Sequence, residues 1–363
     1  MKNTKKVVAI GLCIIWAICL LGCKSTASEP VQSAETTESN VGAESSTETS
    51  ETAATTSEPV TLVVSSAGTE DEPGGVGLTA FKEKVEELSD GNITIELYFN
   101  GVLYSAELGA SACIAGDVDM VYTGPNYLTD GSPWLSMFSA GYLIKDYDHL
   151  QAVYGGEIGQ SIYQRVAEEQ GILPLATYYL GARVIGLTED VEITTPEDLA
   201  PYTIRMPASD MYVFLGEALG AKVSPIALSE LYTALQTGTV DGEDCPLPQV
   251  ESKKLYEVLE SITLTNHWLT ITWPAINLDK WNSLTEEQQG WITEAIEYGN
   301  TVCDNASLEQ EEELIATFKE RGLSIYYPDI DAFAEHVLNE YLSDDEITAD
   351  WDMDLYQQIV DLG

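Results

Sequence analysis

"TTPEDLAPYTIRMPAS", residues 194–209, packs three structural signals into one short run. Thr195 caps a helix start, Pro196 suits the first turn, and Glu197 and Asp198 complement its dipole. Thr203–Met206 follows as a short apolar strand, and Ser209–Leu219 as a second helix. A helix–strand–helix order of this kind belongs to layered α/β architecture. One residue is out of keeping with it. Arg205 sits between Ile204 and Met206, in a chain with 60 acidic and 16 basic residues and a net charge of −44. A permanently charged guanidinium inside a half-buried strand needs an anionic partner.

Working outward, the same alternation continues in both directions. Val60–Ala67 reads as a strand, Leu78–Leu88 as a helix, Asn92–Asn100 as a strand and Ser105–Ala115 as a helix. Val118–Tyr122 is a strand, His149–Glu169 a helix ended by Gly171, and Ile172–Leu187 a strand-rich run. Beyond Arg205 come strand Lys222–Ile226, helix Ser229–Thr237 and an extended stretch over Ile262–Leu278. Thr285 and Gln288 form a capping-box pattern. The helix they open runs to Arg321-Gly322, too long for one core, so it is expected to brace two. Leu323–Tyr327, Ile330–Leu342 and Leu355–Leu362 complete the chain. The residues from 60 onward exceed what one hydrophobic core supports. Two lobes are therefore expected, 60–181 with 271–310 and 182–270 with 311–363.

The first residues read as an export signal. Lys2, Lys5 and Lys6 precede an apolar run, Val7–Leu21, that is short for a membrane span. It ends in Leu20-Leu21-Gly22-Cys23, a bacterial lipobox. Residues 1–22 are thus expected to be a lipoprotein signal peptide and Cys23 to carry the lipid, placing the protein outside the cell membrane and anchored to it. Residues 23–59 are rich in Ser, Thr and Glu and cannot bury enough surface to order, which suits a tether. Of the six cysteines, Cys113, Cys245 and Cys303 lie in the body. Their spacing fits no zinc site, and they are expected to be mostly free and buried. The acidity opposes nucleic acid as a partner.

Four arginines are present: Arg165, Arg183, Arg205 and Arg321. Arg321 meets the carbonyl end of the long helix, and Arg165 lies on a polar helix face beside Glu168 and Glu169. Arg183 and Arg205 have strand-like apolar surroundings. A guanidinium fork fits a carboxylate through two parallel hydrogen bonds. That carboxylate could belong to a ligand or to one of the chain's own acids, and composition leaves both open. A second pattern, Gly75-x-Gly77-x-x-Ala80 with Glu96 beyond it, resembles a dinucleotide fingerprint. It lies past the strand end, and Asp71 and Glu72 would face the phosphates, so a flexible loop entering a helix is the simpler reading. No G-x-S-x-G or H-E-x-x-H occurs, and His149, His267 and His336 have no ligand spacing.

"TTPEDLAPYTIRMPAS", "ALGAKVSPIALSELYTALQTGTVDGEDCP" and "KKLYEVLESITLTNH" resemble the DctP-type solute-binding proteins of tripartite ATP-independent periplasmic (TRAP) transporters. "GYLIKDYDHLQAV" and "YYLGARVIGLT" fit the same family, and the likeness covers most of residues 60–300. The resemblance implies a two-lobe periplasmic-binding-protein-like clamshell with a long bracing helix, and no enzymatic activity or cofactor. Its partners would be a small organic acid, the TRAP membrane permease subunits and, through the lipid, the membrane. It also implies that Arg205 clamps a substrate carboxylate and that Arg183 assists. Two departures stand out. The family often reads V-D-G-[QE]-E-N-P where this chain has Val240–Pro246 with Cys245 in place of the asparagine. It often has a histidine where this chain has Thr69-Glu70-Asp71-Glu72. Glu70 or Glu243 could then meet an amine on the ligand. Tyr122 and Asn126 complete the expected site. The rival expectations are a nucleotide-dependent extracytoplasmic enzyme and a structural or adhesive surface lipoprotein.

Overall fold

Residues 58–363 are described by the structure, a computed structural model. The expected signal peptide, the expected lipid-bearing Cys23 and the expected tether up to residue 57 lie outside the described residues. Among those described, no helix is long and apolar enough to cross a membrane.

The chain begins with β1 (Val60–Ser66), α1 (Pro73–Leu88), β2 (Ile93–Tyr98), α2 (Ala106–Ala115) and β3 (Met120–Thr123). Then come α3 (Tyr147–Tyr154), α4 (Glu157–Gln170), β4 (Ile172–Pro174) and β5 (Tyr178–Leu187). β6 (Thr203–Met206), α5 (Asp210–Ala218), β7 (Lys222–Pro225), α6 (Leu228–Gln236), β8 (Gly242–Pro246) and α7 (Leu247–Ser252) follow. The chain finishes with β9 (Ser261–Thr263), β10 (Leu269–Asn277), α8 (Leu278–Ser283), α9 (Glu286–Glu320), β11 (Ser324–Tyr326), α10 (Ile330–Ser343) and α11 (Met353–Leu362).

The sheet runs in the order β2-β1-β3-β10-β5-β8-β6-β7. Each end is a parallel group: β1 with β2 and β3, and β6 with β7 and β8. Two long strands, β10 and β5, join the groups and pair antiparallel with each other. The parallel groups carry their helices as the alternating pattern requires, and β5, β10 and α9 each carry the chain from one to the other.

Helix α9 spans both groups. Ile292, Ile296 and Cys303 enter a core with Leu62, Val64, Phe81 and Ile95. Leu314 and Phe318, farther along, enter a different core with Leu231, Leu235 and Ile262. Each fully buried aliphatic or Phe side chain contributes about 1.5–3 kcal/mol, so neither half of the helix can leave its core cheaply. Its start is the expected capping box, Thr285 with Gln288.

Three expectations need correction. The glycine-rich run is helical, because α1 starts at Pro73 rather than Leu78. Its glycines allow close approach: a Cβ at Gly77 would stand 2.7 Å from Cys303 Cβ and 2.8 Å from the Gly299 carbonyl oxygen. At Gly74 it would meet the Tyr122 hydroxyl at 2.5 Å. Helix crossing therefore accounts for the pattern, and no loop is there to cradle a pyrophosphate. Next, 149–169 is two helices, because Gly155 and Gly156 end α3 and precede α4. Finally, Thr195 caps a single 3-10 turn, Pro196–Leu199, with its capping box completed by Asp198. Strand β8 has no apolar alternation to reveal it; "GEDCP" is nevertheless buried throughout.

Candidate functional site: a buried arginine pair at the junction of the strands

Ligands of α/β sheets gather at the carboxyl ends of parallel strands. Here β6 and β8 end beside β5, and Arg205, Cys245 and Arg183 come from those three strands. In register, Arg205 stands opposite Glu243, and Arg183 opposite Pro246. Both guanidiniums are nearly inaccessible, with 3% exposure at Arg205 and 4% at Arg183. Their pairing differs completely.

Arg183 is neutralised by its own chain. Its Nε donates to Asp244 Oδ1 and its Nη2 to Asp244 Oδ2, each at 2.7 Å. Nη2 also donates to the Asp244 carbonyl oxygen at 2.6 Å. On the other side, His267 Nε2 lies 3.0 Å from Asp244 Oδ1, and His267 Nδ1 lies 2.8 Å from Thr265 Oγ1. Burial alone would raise the Asp244 carboxyl, but the Arg183 charge and the His267 hydrogen bond outweigh it and hold it well below the usual range. The guanidinium also faces two aromatic rings, at 5.2 Å from the Tyr212 centroid and 5.9 Å from that of Trp268. Such contacts favour a cation out of water.

Arg205 makes no ion pair among the described residues. Its Nε donates to the Ile226 carbonyl oxygen at 2.7 Å, and its Nη1 lies 4.0 Å from Cys245 Sγ. A carbonyl and a thiol leave the charge uncompensated, which is costly in a buried place. Facing it from beyond β3 is Tyr127, exposed at its edge. Burial raises the Tyr127 hydroxyl, and the charges of Arg183 and Arg205 act in the opposite direction, so the ring lies within electrostatic reach of both. Tyr212 feels the same two charges.

The other expected residues divide. Cys245 is fully buried beside Arg205, and burial pushes its thiol up. Glu243 shares that face of β8, but its carboxyl rests against Gly186, where an added Cβ would lie 2.6 Å from Oε1, with Leu259 close by. No N–H or hydroxyl donor reaches either oxygen, and the Cys245 thiol is a weak neighbour. Burial pushes Glu243 up to about 8, a hydrogen bond from the Cys245 thiol and the two arginine charges only partly offsetting it. Tyr122 lays its ring edge-on to Tyr178, with its hydroxyl against Gly74 of α1. The half-buried Asn126 folds its amide oxygen back over Gly124. Glu70 is exposed in the turn before α1. The structure thus brings Arg183, Arg205 and Cys245 together with Glu243 beside them. It does not bring Tyr122 or Glu70 into hydrogen bonds with that group.

Asp244, His267, Tyr212 and Tyr127 were not foreseen. Asp244 had a faint signal, as an acid next to a cysteine in an otherwise unpatterned run. His267 had none, since its partner is distant in sequence. As expected, Cys113, Cys245 and Cys303 are free and buried. No group of three or more His, Cys, Asp or Glu residues is arranged to hold a metal among the described residues. A buried guanidinium beside tyrosines can bind an anion's paired oxygens; the Thr265–His267–Asp244 hydrogen-bond chain beside it is wholly buried, and its carboxylate is taken up by Arg183.

Comparison with known proteins bears on this arrangement. Residues 64–344 match the model of the bacterial extracellular solute-binding proteins, family 7. The sialic acid-binding periplasmic protein of Vibrio cholerae is 28% identical over 253 residues, 70% of this chain and 78% of that one. A TRAP periplasmic solute-binding protein of Roseobacter denitrificans, crystallised with 3-deoxy-D-manno-oct-2-ulosonic acid, is 34% identical, with a TM-score of 0.79. The match covers 84% of this chain and all of that one. Another from the same organism, with bound L-galactonate, is 26% identical with a TM-score of 0.73, over 84% and 99% of the two chains.

Proposed function

The chain belongs to the bacterial extracellular solute-binding proteins of family 7, binding proteins for transport rather than enzymes, and from that premise we propose that it captures a small, hydroxyl-bearing organic acid for a TRAP permease. Arg205 receives the carboxylate. Arg183, already balanced by Asp244, supplies a fixed positive edge and holds the neighbouring strand. Tyr127, Tyr212 and Trp268 border the ligand. Two lobes, 60–181 with 271–310 and 182–270 with 311–363, close over it, and a lipid on Cys23 keeps the protein at the outer face of the cell membrane.

The observation that carries this reading is the inaccessible Arg205 without an acid of its own chain. A protein built for stability alone would have paired that charge, as it paired Arg183. The acids named for the three similar proteins above are carboxylates with several hydroxyls, which agrees with a site of one fork and several phenols, while other relatives are named for C4-dicarboxylates. Cys245 cannot offer an amide's donors and acceptor, so the ligand is selected by other groups here. A carboxylate approaching so acidic a protein is repelled at long range, but salt screens that field over about 8 Å. Calorimetry against sugar acids, dicarboxylates and amino acids tests the reading: an organic acid should bind, and its neutral amide should not.

A further inference from the structure

The two parallel groups of the sheet are joined through the β5–β10 pairing, and that pairing is irregular. Ala182 pairs with Leu269 and Tyr179 with Ile271, so Leu180 and Gly181 together face Thr270 alone. This is a β-bulge, which bends a strand and leaves backbone groups outside the ladder. Gly181 takes φ +108°, a conformation L side chains rarely adopt.

Helix α9 meets the freed backbone groups with one face. Asp304 Oδ1 accepts from the Tyr179 N–H at 2.8 Å, and Glu311 Oε1 accepts from the Ala182 N–H at 2.7 Å. Ser307 Oγ donates to the Tyr179 carbonyl oxygen at 2.6 Å. Glu311 Oε2 takes the Tyr179 hydroxyl at 2.9 Å, and Asp304 Oδ2 takes the Tyr147 hydroxyl at 2.9 Å and Gln151 Nε2 at 3.2 Å. The spacing 304, 307, 311 keeps all three on one side of the helix. Two carboxylates thus bracket the bulge, and the second is bonded to the residue just before Arg183.

Among the described residues no cation pairs with either acid. The titratable groups facing Asp304 are Tyr147 of α3, Tyr163 of α4, Tyr122 of β3, Tyr178 and Tyr179 of β5, and Cys303 of its own helix. Burial pushes Asp304 up to about 6, and Glu311 upward too, while the hydrogen bonds they accept resist this. A neutral acceptor would satisfy the same N–H groups with less desolvation. Charge makes the bonds about twice as strong, which matters where a strand must be held in one of two bends.

We propose that Asp304 and Glu311 are positioning residues that clamp the bulge of the crossing strand and hold the arginine-lined cleft shut. This rests on the transport reading in one respect, that the lobes hinge; the clamp itself needs no particular ligand. Spin labels at V102C and Y327C, both at strongly exposed positions (71% and 68%) on the two sheet groups, report the separation in the ligand-free protein. The D304N/E311Q double variant keeps shape and removes charge, and should raise the ratio of open to shut forms at least threefold. E311A should raise it further. The dissociation rate of any bound organic acid should rise by a similar factor, the association rate changing less. A distance distribution unchanged in folded D304N/E311Q overturns the clamp, even if organic acids bind as expected. A shifted distribution in a protein that binds no organic acid keeps the clamp and removes the transport reading.

Discussion

Asp244 holds Arg183 through both carboxylate oxygens at 2.7 Å, whereas Arg205, one strand beyond, has only a carbonyl and a thiol. Two buried guanidiniums on strands flanking β8 therefore have different tasks. One is a fixed part of the fold, and the other is free to pair with something from outside.

Removing the fixed partner should be expensive. Asp244→Ala leaves Arg183 buried and unpaired, and His267 without its acceptor. Breaking a buried ion pair from one side costs about 3–5 kcal/mol. Urea unfolding should show a midpoint lowered accordingly, with the slope unchanged. A loss below about 1 kcal/mol would mean that Arg183 finds another partner or water.

Glu243 predicts a pH effect of definite sign. Its folded pKa, about 8, lies above its ordinary 4.5. Below pH 4.5 both folded and unfolded states hold the proton, and no penalty applies. As pH rises toward 8 the unfolded state releases the proton first, so stability falls by about 1.4 kcal/mol per pH unit from this group. Glu243→Gln should remove that part of the slope. Its advantage over the parent should grow between pH 5 and 8 and then level off. Parallel stability curves for the two proteins would contradict the buried, poorly compensated carboxyl.

Gly77 tests the helix-crossing account of the glycine pattern. Gly77→Ala places a methyl against Cys303 and the Gly299 backbone. Overpacking of this kind costs about 1–3 kcal/mol, and thermal unfolding should shift down with no change in behaviour toward nicotinamide dinucleotides. An alanine variant as stable as the parent would mean that α1 and α9 have slack between them.

Much of this architecture was legible because hydrophobic period and caps survive in the sequence. β6 falls where Thr203–Met206 was read, and the Thr285 box opens α9 as expected. Glycine was harder. In 73–77 it serves close packing inside a helix, while at 155–156 it breaks one, and the residue type alone does not distinguish the two uses. β8 was hidden because two acids lie buried in it, Asp244 through its pairing with Arg183 and Glu243 without an ion pair, and neither follows an apolar pattern. The two scarce arginines marked the site, but their different fates depend on Asp244 and His267, which long-range folding brings to Arg183. No local spacing records that meeting.

Affinity at Arg205 is the most direct test. Once a carboxylate ligand is found by calorimetry, Arg205→Ala should weaken its binding by about 2–5 kcal/mol, and Arg205→Lys should restore only part, since an ammonium lacks the fork. The same folded variant binding that acid as tightly as the parent would contradict the account.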